Sequence, residues 1–354
     1  MAYTTIDDPT AYFQTKIYSG TGSDLSLTFD GNSNMQPDWV WLKRRSGSGN
    51  HFVWDSTRGV NASLVPNDTD AEDTSGESIN YFDSFDSNGF TVGGGGYANT
   101  NASGSTYVGW SWKANGGTTS SNSDGSITST VQANTTAGFS IVSYTGNSTN
   151  STVGHGLGVA PKMMIVKNRD DVENWEVYHE SLGNGNAIRL NLYDASFSTS
   201  GRWNNTSPTS SVFSLGTANA VNGSGDDMIA YCFAEKKGYS KFGSYTGNGN
   251  STYGPFIYTG FKPAFVLIKQ SSVANEEWQL LDNKRNTVNP TNTALFPSSS
   301  VVENSGNDRS DFLSNGFKCR STSAGVNSSG ATYIYMAFAE APFVSSGGIP
   351  TTAK

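Results

Sequence analysis

The chain of 354 residues uses one set of markers three times in the same order, and this repetition limits its fold more than any other feature. A Tyr-x-Gly turn comes first: "YSGTG" from Tyr18, "YTGNS" from Tyr144 and "YTGNG" from Tyr245. A proline then opens an apolar run that ends in lysine: "PDWVWLK" from Pro37, "PKMMIVK" from Pro161 and "PAFVLIK" from Pro263. Last comes a closing segment, "VGWSWKA" from Val108, "IAYCFAE" from Ile229 and "IYMAFAE" from Ile334. Each follows a Gly/Ser turn, "NASGSTY", "NGSGDDM" or "NSSGATY".

The closing segments alternate large and small. Trp110, Tyr231 and Met336 share a face with Trp112, Phe233 and Phe338, while Ser111, Cys232 and Ala337 take the other, which is the period of a strand. The proline-led runs are apolar throughout, as in a strand covered on both faces, with proline at the start where its missing N–H is tolerated. The fold class expected is all-β, with three tandem β-sandwich, jelly-roll-like modules of roughly 100 residues each. Phe52, Trp175 and Trp278, at comparable distances after the proline, are expected in the cores. Lys43, Lys167 and Lys269 end the apolar runs, and a cross-strand pairing with Glu235 and Glu340 is the expectation for them.

The boundaries that follow are an amino-terminal arm (1–15), modules at 16–114, 138–237 and 238–343, and a tail at 344–354. Between the first two modules, 115–137, "NGGTTSSNSDGSITSTVQANTTA", has the composition of a flexible or lightly structured linker. The arm is expected to dock onto a particle or a neighbouring subunit by strand addition.

With 22 Lys and Arg against 30 Asp and Glu, the net charge of −8 opposes a nucleic-acid footprint, which needs clustered positive charge. The opening "MAYTTIDDPTAYFQTK" lacks the basic-then-apolar pattern of a Sec signal peptide, and no apolar run approaches a membrane span. Cytoplasmic synthesis is therefore expected. Cys232 and Cys319 lie in non-equivalent contexts, so a disulfide between them is not expected.

Chemistry-bearing motifs are sparse. His51, His155 and His179 form no spaced metal pair, no G-x-S-x-G elbow is present, and "GGGG" at Gly93–Gly96 lacks the Lys-Ser/Thr of a phosphate loop. The acidic stretch "PNDTDAEDTSGES" brings Asp68, Asp70, Glu72 and Asp73 together as candidate oxygen ligands for a structural Ca²⁺, without the EF-hand glycine and distal glutamate. Otherwise no cofactor is expected, and the chain reads as a non-enzyme. Aromatics in polar loops outside the repeated positions, Tyr97, Trp203 and Tyr253, are the candidates for carbohydrate binding.

The opening segment "MAYTTIDDPTAYFQTKIYSGTG", the block "FSIVSYTGNSTNSTVGHGLGVAPKMMIVKNR" and the ending "YIYMAFAEAPF" resemble repeat-containing, virion- or tail-associated proteins of tailed bacteriophages of marine bacteria and cyanobacteria. The resemblance carries no catalytic residues. It implies assembly into a virion and other virion proteins as partners. The resulting expectation is a non-enzymatic tail-fibre or adhesin component that contacts host-surface glycans. A capsid decoration or head-fibre protein and a glycan-cleaving tailspike are the alternatives. A homotrimer is the oligomer expected, although no coiled-coil heptad enforces one.

Overall fold

The computed structural model describes residues 3–75 and 80–352 and is nearly all β. The first repeat contains β1 (Phe13–Ser19), β2 (Leu25–Thr28), β3 (Trp39–Arg44), β4 (His51–Asp55), β5 (Ser84–Asp86), β6 (Gly89–Val92) and β7 (Thr106–Trp112). They form two antiparallel sheets, β1-β7-β3-β4 and β2-β6-β5. The second contains β8 (Ser120–Asn122), β9 (Ser129–Asn134), β10 (Phe139–Thr145), β11 (Ser151–Gly154), β12 (Met163–Asn168), β13 (Glu176–His179), β14 (Asn186–Arg189), β15 (Phe197–Ser198), β16 (Val212–Leu215), the one-turn helix α1 (Asn219–Asn222) and β17 (Asp227–Phe233). Its large sheet runs β15-β14-β13-β12-β17-β10-β9-β8, faced by β11-β16. The third contains β18 (Ser240–Thr246), β19 (Phe256–Tyr258), β20 (Phe261–Gln270), β21 (Gln279–Asp282), β22 (Ser310–Leu313), β23 (Gly316–Cys319), α2 (Ala324–Asn327) and β24 (Thr332–Pro342), in sheets β18-β24-β20-β21 and β19-β23-β22.

One four-strand order thus recurs. In each case the Tyr-x-Gly strand and the proline-led strand flank the closing strand, in matching register. Phe13 and Trp39 oppose Trp112, Phe139 and Met163 oppose Phe233, and Ser240 and Phe265 oppose Phe338. The small side chains of the closing strands, Ser111, Cys232 and Ala337, are all fully buried. Cys232 lies among Val142, Val153, Met164, Phe213 and Leu215, in the space between the two sheets of the second repeat. Pro37 and Pro161 precede their strands, whereas Pro263 sits inside β20 at a bulge, where the ladder register shifts.

The Tyr-x-Gly turns are held by a clasp that explains the repeated words. The tyrosine hydroxyls of Tyr18, Tyr144 and Tyr245 donate to the carbonyls of Thr100, Val221 and Val326 at 2.7, 2.6 and 2.7 Å. The next residue in each Gly/Ser turn is a fully buried asparagine. Its Oδ1 accepts the backbone N–H that follows the turn glycine: Asn101 from Thr21, Asn222 from Asn147 and Asn327 from Asn248, at 2.8–2.9 Å. A Cβ on Gly20, Gly146 or Gly247 would lie 2.2–2.3 Å from a carbonyl oxygen across the clasp, so only glycine fits.

The larger faces of the closing strands meet at a common centre. Trp112, Phe233 and Phe338 occupy the same position in the three repeats, and their ring centroids form a triangle with sides of 6.4, 5.7 and 6.1 Å. Phe13, Trp39, Phe139 and Phe265 surround them in one continuous buried cluster. Three faces, each too apolar to meet water, bury one another there.

The junctions between repeats are cyclic. Tyr231 donates to Asp55 at 2.7 Å, and the Trp110 indole donates to Asp282 at 3.0 Å. The third junction replaces the aspartate by His179, whose Nε2 donates to the Tyr335 carbonyl at 3.1 Å. Asp55 and Asp282 each hold an arginine three residues on, Arg58 and Arg285, at 2.5 Å. These are the "WDSTR" and "LDNKR" segments that the second repeat lacks.

Some expectations change. Residues 115–137 are not a free linker: β9 pairs with β10 and β8 with β9, extending the second repeat's large sheet. The amides of Ala114, Gly116 and Gly117 converge on the Asp38 carboxylate at 2.7–2.9 Å. The arm does not stand off the body. β1 already begins at Phe13, Ile6 is buried, and the Thr4 hydroxyl donates to the Lys237 carbonyl at 2.9 Å. Phe52 is buried, but register makes His51, the cross-strand neighbour of Lys43, the counterpart of Trp175 and Trp278 in the other repeats, so the equivalent position is one residue earlier than the sequence suggested.

Candidate functional site

The three aromatic candidates part company in the structure. Trp203 is fully buried and packs on Tyr178 with centroids 5.9 Å apart, inside the second repeat's sandwich, so it is not a surface ring. Tyr97 is half-buried, its ring 4.7 Å from that of Tyr81, which meets Phe52 in turn. Tyr253 is 76% exposed.

Tyr253 stands on a loop fixed by amide side chains. Asn250 Oδ1 accepts the N–H of Thr252 and Tyr253 at 2.9 and 2.7 Å, and Asn248 Nδ2 donates to the Tyr253 carbonyl at 2.7 Å. The clasp residue Asn327 ties this loop down by donating to the Asn250 carbonyl at 3.0 Å. Three residues on begins β19, an outer strand of its sheet. Ile257 points inward, while Phe256 and Tyr258 point out and are about half exposed. The Tyr258 hydroxyl is 3.0 Å from that of Tyr3, which donates to the Gly260 carbonyl at 2.8 Å. Tyr253, Phe256 and Tyr258 therefore form an exposed aromatic edge on a fixed frame. Sequence reasoning found Tyr253 and missed the other two. The alternation Phe256-Ile257-Tyr258, apolar at all three positions, gives no sign of which face is outward.

The acidic stretch is divided among different tasks. Glu72 bridges Arg58 at 2.7 Å and Arg169 at 2.6 Å, joining the first and second repeats. Burial opposes its charge, but the two guanidiniums outweigh it and hold its carboxyl below the usual range. Asp68 accepts the Thr69 N–H at 2.7 Å, Asp73 accepts that of Ser75 at 2.9 Å, and Asp70 is exposed near Lys167. Among the described residues, no group of three or more His, Cys, Asp and Glu side chains is placed to hold a metal ion.

The three strand-ending lysines do not meet Glu235 or Glu340, which pair instead with Lys241 and Lys262. Lys43, Lys167 and Lys269 are fully buried and donate to carbonyls: Lys43 to Val301 at 3.0 Å, Lys167 to Asp171 at 3.0 Å, Lys269 to Tyr193 at 3.2 Å. The bond of Lys43 crosses from the first repeat to the third, and that of Lys269 from the third to the second. Burial lowers each of the three to about 8. All three histidines are buried as well, and burial pushes each below its usual range, His179 to about 4. Among the described residues no helix is long and apolar enough to cross a membrane.

Fold and surface together define an all-β, sandwich-type protein whose repeated sheets share an aromatic centre. Residues 8–342 match the family described as Domain of unknown function (DUF7483), and the chain belongs to that family. The matched span includes all three copies of the repeat. No curated protein and no solved structure matches the chain.

Proposed function

We propose that the protein is a non-enzymatic virion surface protein, a tail-fibre or adhesin component that contacts host-surface glycans. The observation that carries this reading is the aromatic edge of Tyr253, Phe256 and Tyr258: rings displayed to solvent in a chain that buries all eight of its tryptophans in or beside its cores. Rigid rings beside amide side chains offer apolar faces and hydrogen bonds at little entropic cost, the combination that sugar recognition uses. The resemblance to tail-associated repeat proteins supplies the setting.

The test has two arms. Gold-labelled antibody against this chain should decorate the tail of intact particles, and purified protein should compete with particles for host cells. The triple variant Tyr253→Ala, Phe256→Ser, Tyr258→Ser should lose that competition while keeping its melting temperature. Label on the icosahedral shell with no competition would replace the reading by capsid decoration. Release of soluble sugar from host glycan would replace it by the tailspike.

A further inference from the structure

A cleft of about 350 Å³, none of whose lining residues belongs to the aromatic edge, opens where the first and third repeats meet, at the lower end of the size range of small-ligand sites. We propose that it binds a single neutral sugar unit, a deepening that rests on the attachment reading above. Its apolar floor is made by the buried Phe13, Ala264 and Ala339, and its rim by Asp30 from one repeat and Lys284 and Glu340 from the other.

Three features point to a polyhydroxylated ligand. The charges of the rim are all paired: Asp30 meets Lys284 at 2.7 Å and Lys16 at 3.8 Å, and Glu340 meets Lys262 at 3.1 Å, so the rim offers acceptors and donors with no unpaired charge to select an ion. An apolar floor under such a rim suits the C–H face of a sugar ring with its hydroxyls directed outward. The third feature is Thr15, which lines the cleft, is 4% exposed, and has a buried hydroxyl with no hydrogen-bond partner in the protein. Such a group is costly unless something completes it.

The wall is also fixed before any ligand arrives. Gln14 accepts the Gly31 N–H at 2.9 Å and donates to the Thr10 and Ser33 carbonyls at 2.8 and 3.0 Å, locking the loop that carries Asp30. A Cβ at Gly31 would come within 2.5 Å of Gln14 Oε1 and 2.6 Å of Thr10 Cβ, so a larger residue there would have to displace the Gln14 side chain that fixes the loop. Preorganisation of this kind lowers the cost of binding.

The experiment titrates the full chain with a panel of neutral monosaccharides (glucose, galactose, mannose, fucose and N-acetylglucosamine), read by saturation-transfer NMR and calorimetry. At least one sugar should bind. Thr15→Val should weaken that binding by about tenfold or more, a loss equal to about one hydrogen bond, while the melting temperature holds or rises. Lys284→Met should weaken it likewise. Binding of none of the panel, undiminished binding in both variants, or a marked fall in the melting temperature of Thr15→Val would each overturn the assignment. Host-cell binding separates this proposal from the one it rests on. If cells capture wild type and Thr15→Val equally, the cleft is not the sugar site although attachment stands. If a sugar fills the cleft but cells capture neither, attachment fails and the cleft remains.

Discussion

At the scale of the residue, the fully buried clasp asparagines join the backbone groups of separate turns. Asn327 receives one N–H and donates to the Asn250 and Ser321 carbonyls, so Asn327→Ala removes three hydrogen bonds at once and leaves a cavity where a fully buried side chain stood. We expect it to cost about 2–4 kcal/mol in denaturant unfolding; a loss near zero would mean the clasp is not what holds the turn. The buried lysines give a pH signature. A lysine held near 8 when folded and near 10.5 when unfolded costs stability below pH 8, and the cost is relieved as pH rises between those values, where only the unfolded chain still binds the proton. Wild type should therefore gain on Lys43→Met from pH 8 toward 10.5. A difference that stays flat with pH would show that Lys43 titrates as an ordinary surface amine. Such residues were only half legible in the sequence. The glycine and tyrosine of the turn announced themselves by repetition. The burial of Trp203 did not, because its neighbours in sequence are polar and its partner Tyr178 is distant along the chain.

At the scale of the element, repetition and alternation carried most of the fold: the proline-led runs and closing segments are strands in matching register. The segment at 115–137 escaped because its strands are built from serine, threonine and asparagine at the margin of a sheet, where one face meets solvent and few apolar positions are needed. Val131 and Ile127, which pack into the second repeat's core, were the available signal. The amides of β9 are therefore expected to exchange with deuterium about as slowly as those of β10, and far more slowly than the 248–254 loop. Free exchange across 115–137 would restore the linker. The outward turn of β19, which makes the aromatic edge, was illegible for another reason: three apolar residues in a row do not disclose which face of the strand a second sheet will cover.

At the scale of the whole molecule, the shared centre was not legible at all, since nothing along the chain says that the larger faces of three closing strands are turned toward one another. It predicts joint behaviour. Trp112→Ala should cost about 3–5 kcal/mol and shift a single unfolding transition seen alike by fluorescence and circular dichroism; separate transitions would show that the repeats hold together independently. Residues 238–343 expressed alone would present Phe265 and Phe338 to water and should self-associate, and a well-behaved monomer would contradict the centre described above. The cyclic junctions carry a last consequence. In an assembly of three identical chains, one codon change is written on every side together. Here the three sides are encoded separately, and the departures are already visible: His179 stands where the other copies have Asp55 and Asp282, and the aromatic edge is described on the third copy alone. A threefold plan held in a single chain lets one side be altered for a partner while the other two keep the body closed.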